Sequence, residues 1–262
     1  MTYRFELAAC AEMLWPDKAI DWRASRLKEL GFGVGLWNWP EHDINKLQKT
    51  GATFTIMNGY LEGALADDEG AQQLIESIEK TIIIGKKLGV HRLNLHGTGL
   101  GDGGIPKKQS SAITQNMWTK ASDTLNRICD LAEKENVVFT LENLNLLDHP
   151  GCPFNSTADV LRLVSGINRT QLRINLDLYH TQIGEGDIIR WCEKCLNYIG
   201  EIQVADNPGR CEPGSGEMNY KFVAGALYKM GYRGPVGLEA YASNEAEMAL
   251  EKFKQAFTIE VD

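Results

Sequence analysis

Short apolar runs alternate with longer amphipathic segments along this whole chain of 262 residues. Runs rich in β-branched residues are typical of buried strands, whereas apolar residues three or four positions apart are typical of helices. Eight strand-like runs occur: RFELAAC, GVGLWNW, TFTIMNG, RLNLHG, FTLENLN, RINLDLY, EIQVAD and PVGLEAY. The remaining segments predict helices at about residues 17–30, 41–50, 68–89, 110–136, 157–166, 186–198, 219–230 and 244–258.

This alternation predicts parallel strands, because a parallel neighbour is reached only through a crossover of about a dozen residues or more. An open doubly wound sheet would show the same alternation. The count of eight and the chain length favour a (β/α)8 TIM barrel, an α/β fold with one domain covering residues 1–262. Active sites of such barrels lie at the carboxyl ends of the strands. Polar residues are found there in this chain, namely Asn38, Asn58, His96, Glu142, Asp177, Asp206 and Glu239.

The charge of the chain argues against a nucleic-acid or membrane partner. The formal net charge is -8, and Lys and Arg are not clustered as phosphate binding requires. The N-terminal residues MTYRFELAACAEMLW lack the features of a secretory signal, and no apolar stretch approaches the roughly 20 residues of a membrane span. We therefore expect a cytoplasmic protein whose six cysteines are free thiols.

Four oxygen-bearing side chains lie at or near the ends of the last four strand-like runs. They are Glu142, Asp177, Gln203 and Glu239. At the mouth of a barrel they would be partly desolvated, and the three carboxylates would repel one another. A divalent cation would remove this conflict, and the amide oxygen of Gln203 would complete its ligands. The all-oxygen set favours Mg2+ or Mn2+ over Zn2+, and Co2+ would also bind.

Longer stretches of the second half resemble a known family. The segments TLENLNLLDHPG, INLDLYH, EIQVADNPGRCEPGSGEMNY and GPVGLEAY are similar to hydroxypyruvate isomerase-like proteins, within the superfamily of xylose isomerase-like TIM barrels. The run from Gln203 to Tyr220 is the most specific part. The resemblance implies one metal ion held by Glu142, Asp177, Gln203 and Glu239. It also implies that Glu142 and Glu239 are the catalytic acid and base on opposite sides of the substrate.

The resemblance further implies residues that bind the substrate. His180 and Arg210 match family positions that contact it, and Arg210 is suited to grip a carboxylate with two hydrogen bonds. Asp148 matches an acidic position beside the metal-bound Glu. His96 ends a strand-like run and is a further candidate for the pocket lining, and Asp206 either supports the metal ligands or shapes the following turn.

The predicted activity is isomerisation or epimerisation of a small hydroxy-keto acid or sugar, of the hydroxypyruvate or 2-oxo-tetronate type, through an enediolate. The alternative is a decarboxylase of a 3-oxo sugar acid, of the 3-oxo-isoapionate type, using the same site. Two segments depart from the family pattern: MNGYLEGALAD replaces an N-L-P-A-G-D-W type segment, and AYAS follows Glu239. Both lie where substrate choice would be set. The expected partner is a small-molecule substrate, and the family also allows a homo-oligomer.

Two further motifs carry weaker signals. Gly99–Gly104 fits the spacing G-x-G-x-x-G, but Pro106 precedes any helix, so a loop over the barrel mouth is predicted rather than a dinucleotide site. Cys192 and Cys195 form a C-x-x-C within an amphipathic segment. Because no second pair exists, we expect these two sulfurs to pack a helix against the barrel.

Overall fold

Eight parallel strands close into a barrel in the computed structural model, which describes residues 2–260. The strands of this part of the chain are β1 (Thr2–Arg4), β2 (Leu7–Cys10), β3 (Gly33–Leu36), β4 (Phe54–Asn58), β5 (Arg92–Leu95), β6 (Val138–Glu142), β7 (Leu172–Asp177), β8 (Ile199–Val204), β9 (Val236–Leu238) and β10 (Thr258–Glu260). Strands β2 to β9 form the barrel in chain order, and β9 pairs with β2 to close it. The predicted TIM-barrel fold is confirmed.

Helices follow the barrel strands. Within the described residues they are α1 (Ile20–Glu29), α2 (Ile44–Lys49), α3 (Asp68–Leu88), α4 (Gln115–Glu135), α5 (Thr157–Ile167), α6 (Leu178–Gly184), α7 (Ile188–Cys195), α8 (Tyr220–Lys229) and α9 (Ala246–Ala256). Ser156 and Asn219 accept hydrogen bonds from the first turns of α5 and α8, as expected for helix caps. Asp17 and Ser111 are residue types that also favour caps, but they cap no helix, because α1 begins only after Ala19 and α4 is capped by Thr114.

The barrel strands divide their side chains between two environments. In β6, Phe139 and Leu141 are fully buried in the apolar core, while Thr140 and Glu142 alternate with them. Side chains two residues apart share a face of a strand, so the polar pair faces the barrel interior and the apolar pair faces the helices. Burial of each large apolar side chain contributes roughly 1.5–3 kcal/mol, which makes the outer face the main source of stability.

Two features of the fold were not predicted. Helix α6 begins directly after β7, with Asp177 as its cap, where the sequence indicated only a strand and a loop. Strands β1 and β10 form a separate antiparallel pair, in which Tyr3 lies opposite Ile259. Within residues 2–260, none of the helices could span a lipid bilayer.

Candidate active site

The carboxyl ends of the barrel strands open into a cavity of about 890 Å³. Glu142 ends β6, Gln203 lies near the end of β8, and Glu239 follows β9, and all three line the cavity. Asp177 ends β7 opposite Gln203 in the strand register. All four side chains are buried. The structure therefore brings the four predicted metal ligands to the same end of the barrel.

Arg210 lies among the acidic side chains. Its guanidinium contacts the carboxylate of Glu239 and lies 3.9 Å from Asp177, and it packs 5.0 Å from the ring centre of Tyr179. Arg210 has a φ of 50°, a left-handed conformation that non-glycine residues adopt rarely. It also lines the cavity. The structure places this cation beside the carboxylates, at the wall of the cavity.

Burial changes the pKa values of the three carboxyl groups among the proposed metal ligands. Burial raises the pKa of Glu142, Asp177 and Glu239 above their usual range, and Arg210 opposes this rise by favouring the charged form. Mutual repulsion raises the pKa of Asp177 and Glu239 further. Burial alone would lower the pKa of Arg210, but the same acids raise it. The buried site therefore disfavours three charged carboxylates together, and Arg210 is a cation that stabilises their charged forms.

His180 is buried beside this cluster with a defined tautomer. The carbonyl oxygen of Asn145 accepts hydrogen bonds from the backbone N–H groups of Leu147 and Asp148, so its amide nitrogen faces His180. That nitrogen donates to Nδ1 of His180 over 2.6 Å. Burial also lowers the pKa of His180 well below its usual value. A neutral ring that accepts at Nδ1 carries its proton on Nε2.

The Nε2 atom of His180 points toward the acids. It lies 3.7 Å from Asp177 and 3.9 Å from Glu142, and among residues 2–260 it has no hydrogen-bond partner. Donor atoms of these three residues lie within 4.8 Å of one another, which is close enough to hold a metal ion. The tautomer argues for a different use of His180, because a protonated nitrogen cannot bind a metal. Its geometry suits donation to a substrate oxygen.

A layer of buried amides lies beneath the acids. Asn94 and Asn175 both donate to Oε2 of Glu142, and Asn175 also donates to the amide oxygen of Gln203 over 2.7 Å. Thr140 in turn donates to the carbonyl oxygen of Asn94. These contacts hold one oxygen of Glu142 and the oxygen of Gln203 in place. Sequence reasoning missed this layer, although its members lie two residues before a strand-end residue and therefore share its face.

The remaining predicted site residues also lie at the cavity. His96 contacts Oε2 of Glu142 over 3.0 Å, and burial lowers the pKa of His96 to about 4, so the ring is neutral. Asp148 accepts a hydrogen bond from Asn145 and lines the cavity. Asn145 therefore links Asp148 to His180, a connection that the sequence did not indicate.

Asp206 shapes a turn and does not face the cavity. Its carboxylate accepts hydrogen bonds from the backbone N–H groups of Asn207, Gly214 and Met218. A Cβ atom at Gly216 would lie 2.3 Å from the carbonyl oxygen of Asn207, so only glycine fits there. The turn-shaping alternative for Asp206 is the correct one, and this turn delivers Arg210 to the site.

Glu212 ties the same loop to the loop after β9. It is buried and accepts hydrogen bonds from the backbone and hydroxyl of Ser243 and from Lys252. Burial would raise the pKa of Glu212, but these donors outweigh it and lower the pKa from 4.5 to about 2. The stabilisation is complete above the unfolded-state pKa and is lost as the pH falls toward the folded-state value.

We expect Glu212→Gln to lower the free energy of unfolding at pH 7 by about 3 kcal/mol, because the depressed pKa corresponds to that much favourable interaction. The difference from wild type should shrink as the pH falls below 4.5 toward about 2. Urea unfolding at several pH values measures it. Glu193→Gln, at an exposed position of α7, is the matched control. A pH-independent difference would contradict the ion-pair explanation.

Loops after β3, β4 and β5 form another wall of the cavity. The glycine-rich loop contributes residues 100–104 to it, which confirms that this loop lies over the barrel mouth. Of the early tryptophans, Trp37 lines the cavity, whereas Trp39 is buried in the core and Trp15 packs against Trp22. Lys107 is exposed and also lines the cavity.

The C-x-x-C motif is structural. Cys192 and Cys195 are fully buried in α7, belong to the apolar core and form no disulfide in the described part of the chain. Burial raises the pKa of both thiols to about 12, so neither is a reactive thiolate.

Comparisons with known proteins agree with this architecture. The chain is 32% identical over 146 residues to hydroxypyruvate isomerase of Escherichia coli (strain K12), covering 56% of this chain and 57% of that protein. It is 27% identical over 261 residues to 2-oxo-tetronate isomerase of Haemophilus influenzae, covering 96% of this chain and 92% of that protein. A crystal structure described as AP endonuclease, family 2, from Brucella melitensis superposes with a TM-score of 0.84 at 23% identity, covering 95% of this chain and 98% of that one.

The family model described as "Xylose isomerase-like TIM barrel" matches residues 22–257, which is most of the chain. The match includes β3 to β9 and the four side chains gathered at the barrel mouth. The protein therefore belongs to the family of xylose isomerase-like TIM barrels.

Proposed function

We propose that the protein is a divalent-metal-dependent isomerase or epimerase of a small hydroxy-keto acid or sugar. The observation that carries this proposal is the convergence of Glu142, Asp177, Gln203 and Glu239 at the mouth of one barrel, beside a large cavity. The names of two relatives support it, since one is a hydroxypyruvate isomerase and the other a 2-oxo-tetronate isomerase.

The orientation of the carboxylates fits a bound cation. Oε2 of Glu142 accepts hydrogen bonds from Asn94 and Asn175. Oδ1 of Asp177 accepts hydrogen bonds from the first turn of α6. The other oxygen of each carboxylate accepts no hydrogen bond from the part of the chain that the structure describes. The amide oxygen of Gln203 uses one of its two lone pairs on Asn175. Each of these three side chains thus has an oxygen lone pair available to bind a cation. A set of ligands made only of oxygen atoms suits Mg2+, Mn2+ or Co2+.

We assign the ligands to Glu142, Asp177, Gln203 and Glu239. When bound, the cation supplies Lewis acidity at the oxygens of the substrate. Glu142 and Glu239 approach from β6 and β9, so that one can take a proton from a substrate carbon and the other can return it. Return to the neighbouring carbon gives isomerisation, and return to the same carbon from the opposite face gives epimerisation. Such acid–base catalysis contributes about 10²–10⁴ in rate.

Other side chains position the substrate. His180 donates from Nε2 to a substrate oxygen, because this N–H lies between Glu142 and Asp177 and has no partner of its own among residues 2–260. Arg210 binds a substrate carboxylate, and its contact with Glu239 is partly replaced when the substrate is bound. His96 and Asp148 complete the lining near the reacting carbons.

The test is turnover in D2O. The protein, supplied with Mg2+, Mn2+ or Co2+, is incubated with hydroxypyruvate, 2-oxo-tetronates and ketoses, and the products are analysed by NMR. We expect deuterium to appear at the reacting carbon with no release of CO2. Release of CO2 would instead favour the decarboxylase alternative, which no contact in the site specifically favours. Absence of exchange with every metal and substrate would overturn the proposal.

A further inference from the structure

The glycine-rich loop after β5 folds into a short hairpin over the cavity. The backbone N–H of Gly101 donates to the carbonyl oxygen of Ile105 over 2.8 Å. At the base, the N–H of Lys107 donates to the carbonyl oxygen of Gly99, also over 2.8 Å. The tip of this glycine hairpin (residues 99–107) lines the cavity. The hairpin therefore lies between the active site and the solvent.

The tip of the glycine hairpin is weakly attached to the rest of the protein. Between its two base residues, only Pro106 is buried. Gly103 and Gly104 have φ angles of 64° and 76°, which residues with a side chain adopt rarely. Within residues 2–260, residues 101–106 make one hydrogen bond to the rest of the chain, at the carbonyl oxygen of Gly104. A segment with so few buried contacts and hydrogen bonds opens at a low cost in free energy.

His149 provides this single hydrogen bond. Its Nδ1 atom lies 2.7 Å from the carbonyl oxygen of Gly104, which can only accept, so Nδ1 carries a proton. The ring also packs closely on the hairpin, because a Cβ atom added at Gly104 would lie 2.8 Å from Cε1 of His149. The ring is buried, and its Nε2 atom has no hydrogen-bond partner in the described part of the chain. The known role of the ring is therefore its contact with the hairpin.

The same residue contacts the groups that position the substrate. The rings of His149 and His180 pack edge to face, with their centres 5.2 Å apart. The backbone N–H of His149 donates to the carbonyl oxygen of Asn145, whose side chain binds both His180 and Asp148. One side chain therefore connects the glycine hairpin to the proposed substrate-binding residues of the loop after β6.

We infer that the glycine hairpin is a flap over the active site and that His149 is the positioning residue that holds it closed. This inference rests on the proposed function, because the flap matters for a reaction in which a proton is held between two steps. A closed flap keeps water away from the enediolate and from the carboxylate that carries the abstracted proton. Opening of the flap admits water and releases the product.

Amide hydrogen exchange tests the role of His149 without any substrate. His149→Leu removes the donor, and a hydrogen bond changes an opening equilibrium by roughly two- to tenfold. The amides of Gly101 and Lys107 should exchange faster by that factor, whereas those of β6 should not change if the barrel is intact. His149→Asn should restore the wild-type rates, because its amide nitrogen replaces Nδ1 as the donor.

His91→Leu is the matched control, since His91 is exposed and lies outside the cavity. It should leave exchange in the glycine hairpin unchanged. Unchanged exchange in His149→Leu would show that the hydrogen bond to Gly104 does not hold the hairpin, and would overturn the inference.

Retention of an isotope tests the flap itself. The best substrate of the D2O panel, prepared with deuterium at its reacting carbon, is converted in H2O. Wild type should keep part of the deuterium in the product, and His149→Leu should keep several-fold less, because the flap opens more often while the proton is held. His149→Asn should keep as much as wild type. A purely structural defect would lower kcat without changing the retained fraction.

The two experiments separate this inference from the proposed function. Faster amide exchange in His149→Leu, restored in His149→Asn, without turnover of any substrate would support the closing role of His149 and overturn the proposed reaction. Turnover with no deuterium retained by wild type, or with equal retention in wild type and His149→Leu, would overturn the flap alone. Unchanged amide exchange together with absence of turnover would overturn both.

Discussion

Glu239→Gln is expected to lower kcat by about 10²–10⁴, the usual contribution of a positioned acid or base. The substitution keeps the shape of the side chain but removes its proton-accepting charge. It also leaves Arg210 without the carboxylate that it contacts most closely. Steady-state kinetics on the best substrate of the D2O panel measures the loss, and circular dichroism with thermal unfolding shows whether the fold is intact.

Glu142→Gln is less suitable for this test, because it also disturbs the hydrogen bonding around the side chain. In Glu142→Gln the new amide would have to keep its oxygen toward Asn94 and Asn175, which turns its nitrogen toward the Nε2 proton of His180. Two donors would then face each other, so the variant would lose activity for structural reasons as well. Glu79→Gln, at an exposed position of α3, is the control. Full activity in Glu239→Gln would exclude the two-Glu mechanism.

Asp177→Asn is expected to weaken binding of Mn2+ by more than about 10²-fold, since changes to groups that only support metal ligands already cost about 10–100-fold. Asparagine is as good a helix cap as aspartate, so Oδ1 should still start α6. Calorimetric titration with Mn2+ alone measures the affinity. The substitution therefore separates the capping role of Asp177 from its proposed role as a ligand.

The same variant should show opposite effects on stability with and without metal. A metal at 100 times its Kd raises the stability of wild type by about 2.7 kcal/mol, and the variant should lose this gain. Without metal the variant should unfold at a higher temperature than wild type, because one of three mutually repelling buried carboxylates is gone. Asp123→Asn, at an exposed position of α4, should match wild type in both conditions. Wild-type affinity for Mn2+ in Asp177→Asn would remove Asp177 from the ligand set.

The strands could be predicted because each carries its signal locally. All eight barrel strands overlap the predicted apolar runs, although β6, β7 and β8 begin one or two residues before them. Glu142, Asp177 and Glu239 are recognisable as polar residues at or just after the ends of the strands. Helix boundaries were less accurate. The sequence indicated a helix from about residue 110, whereas α4 begins at Gln115 because Thr114, and not Ser111, caps it.

Partners that come from distant parts of the chain could not be predicted. The tautomer of His180 depends on Asn145, which lies 35 residues away, and the support of Glu142 depends on Asn94, which lies 48 residues away. Glu12 is separated by 25 residues from Trp37, whose loop it fixes. None of these residues stands out by type or spacing, since an isolated Asn or Glu is most often a surface residue.

The sequence by itself determined the βα order, and with it the end of the barrel at which strand-end carboxylates would meet. That follows from periodicity, because alternation along a strand assigns each side chain to a face before any tertiary contact forms. Only the tertiary structure decided which oxygen of each carboxylate remains available, which nitrogen of His180 carries the proton, and which side chain contacts the glycine hairpin. Those properties depend on hydrogen-bond donors and loops that closure of the barrel brings together from remote positions.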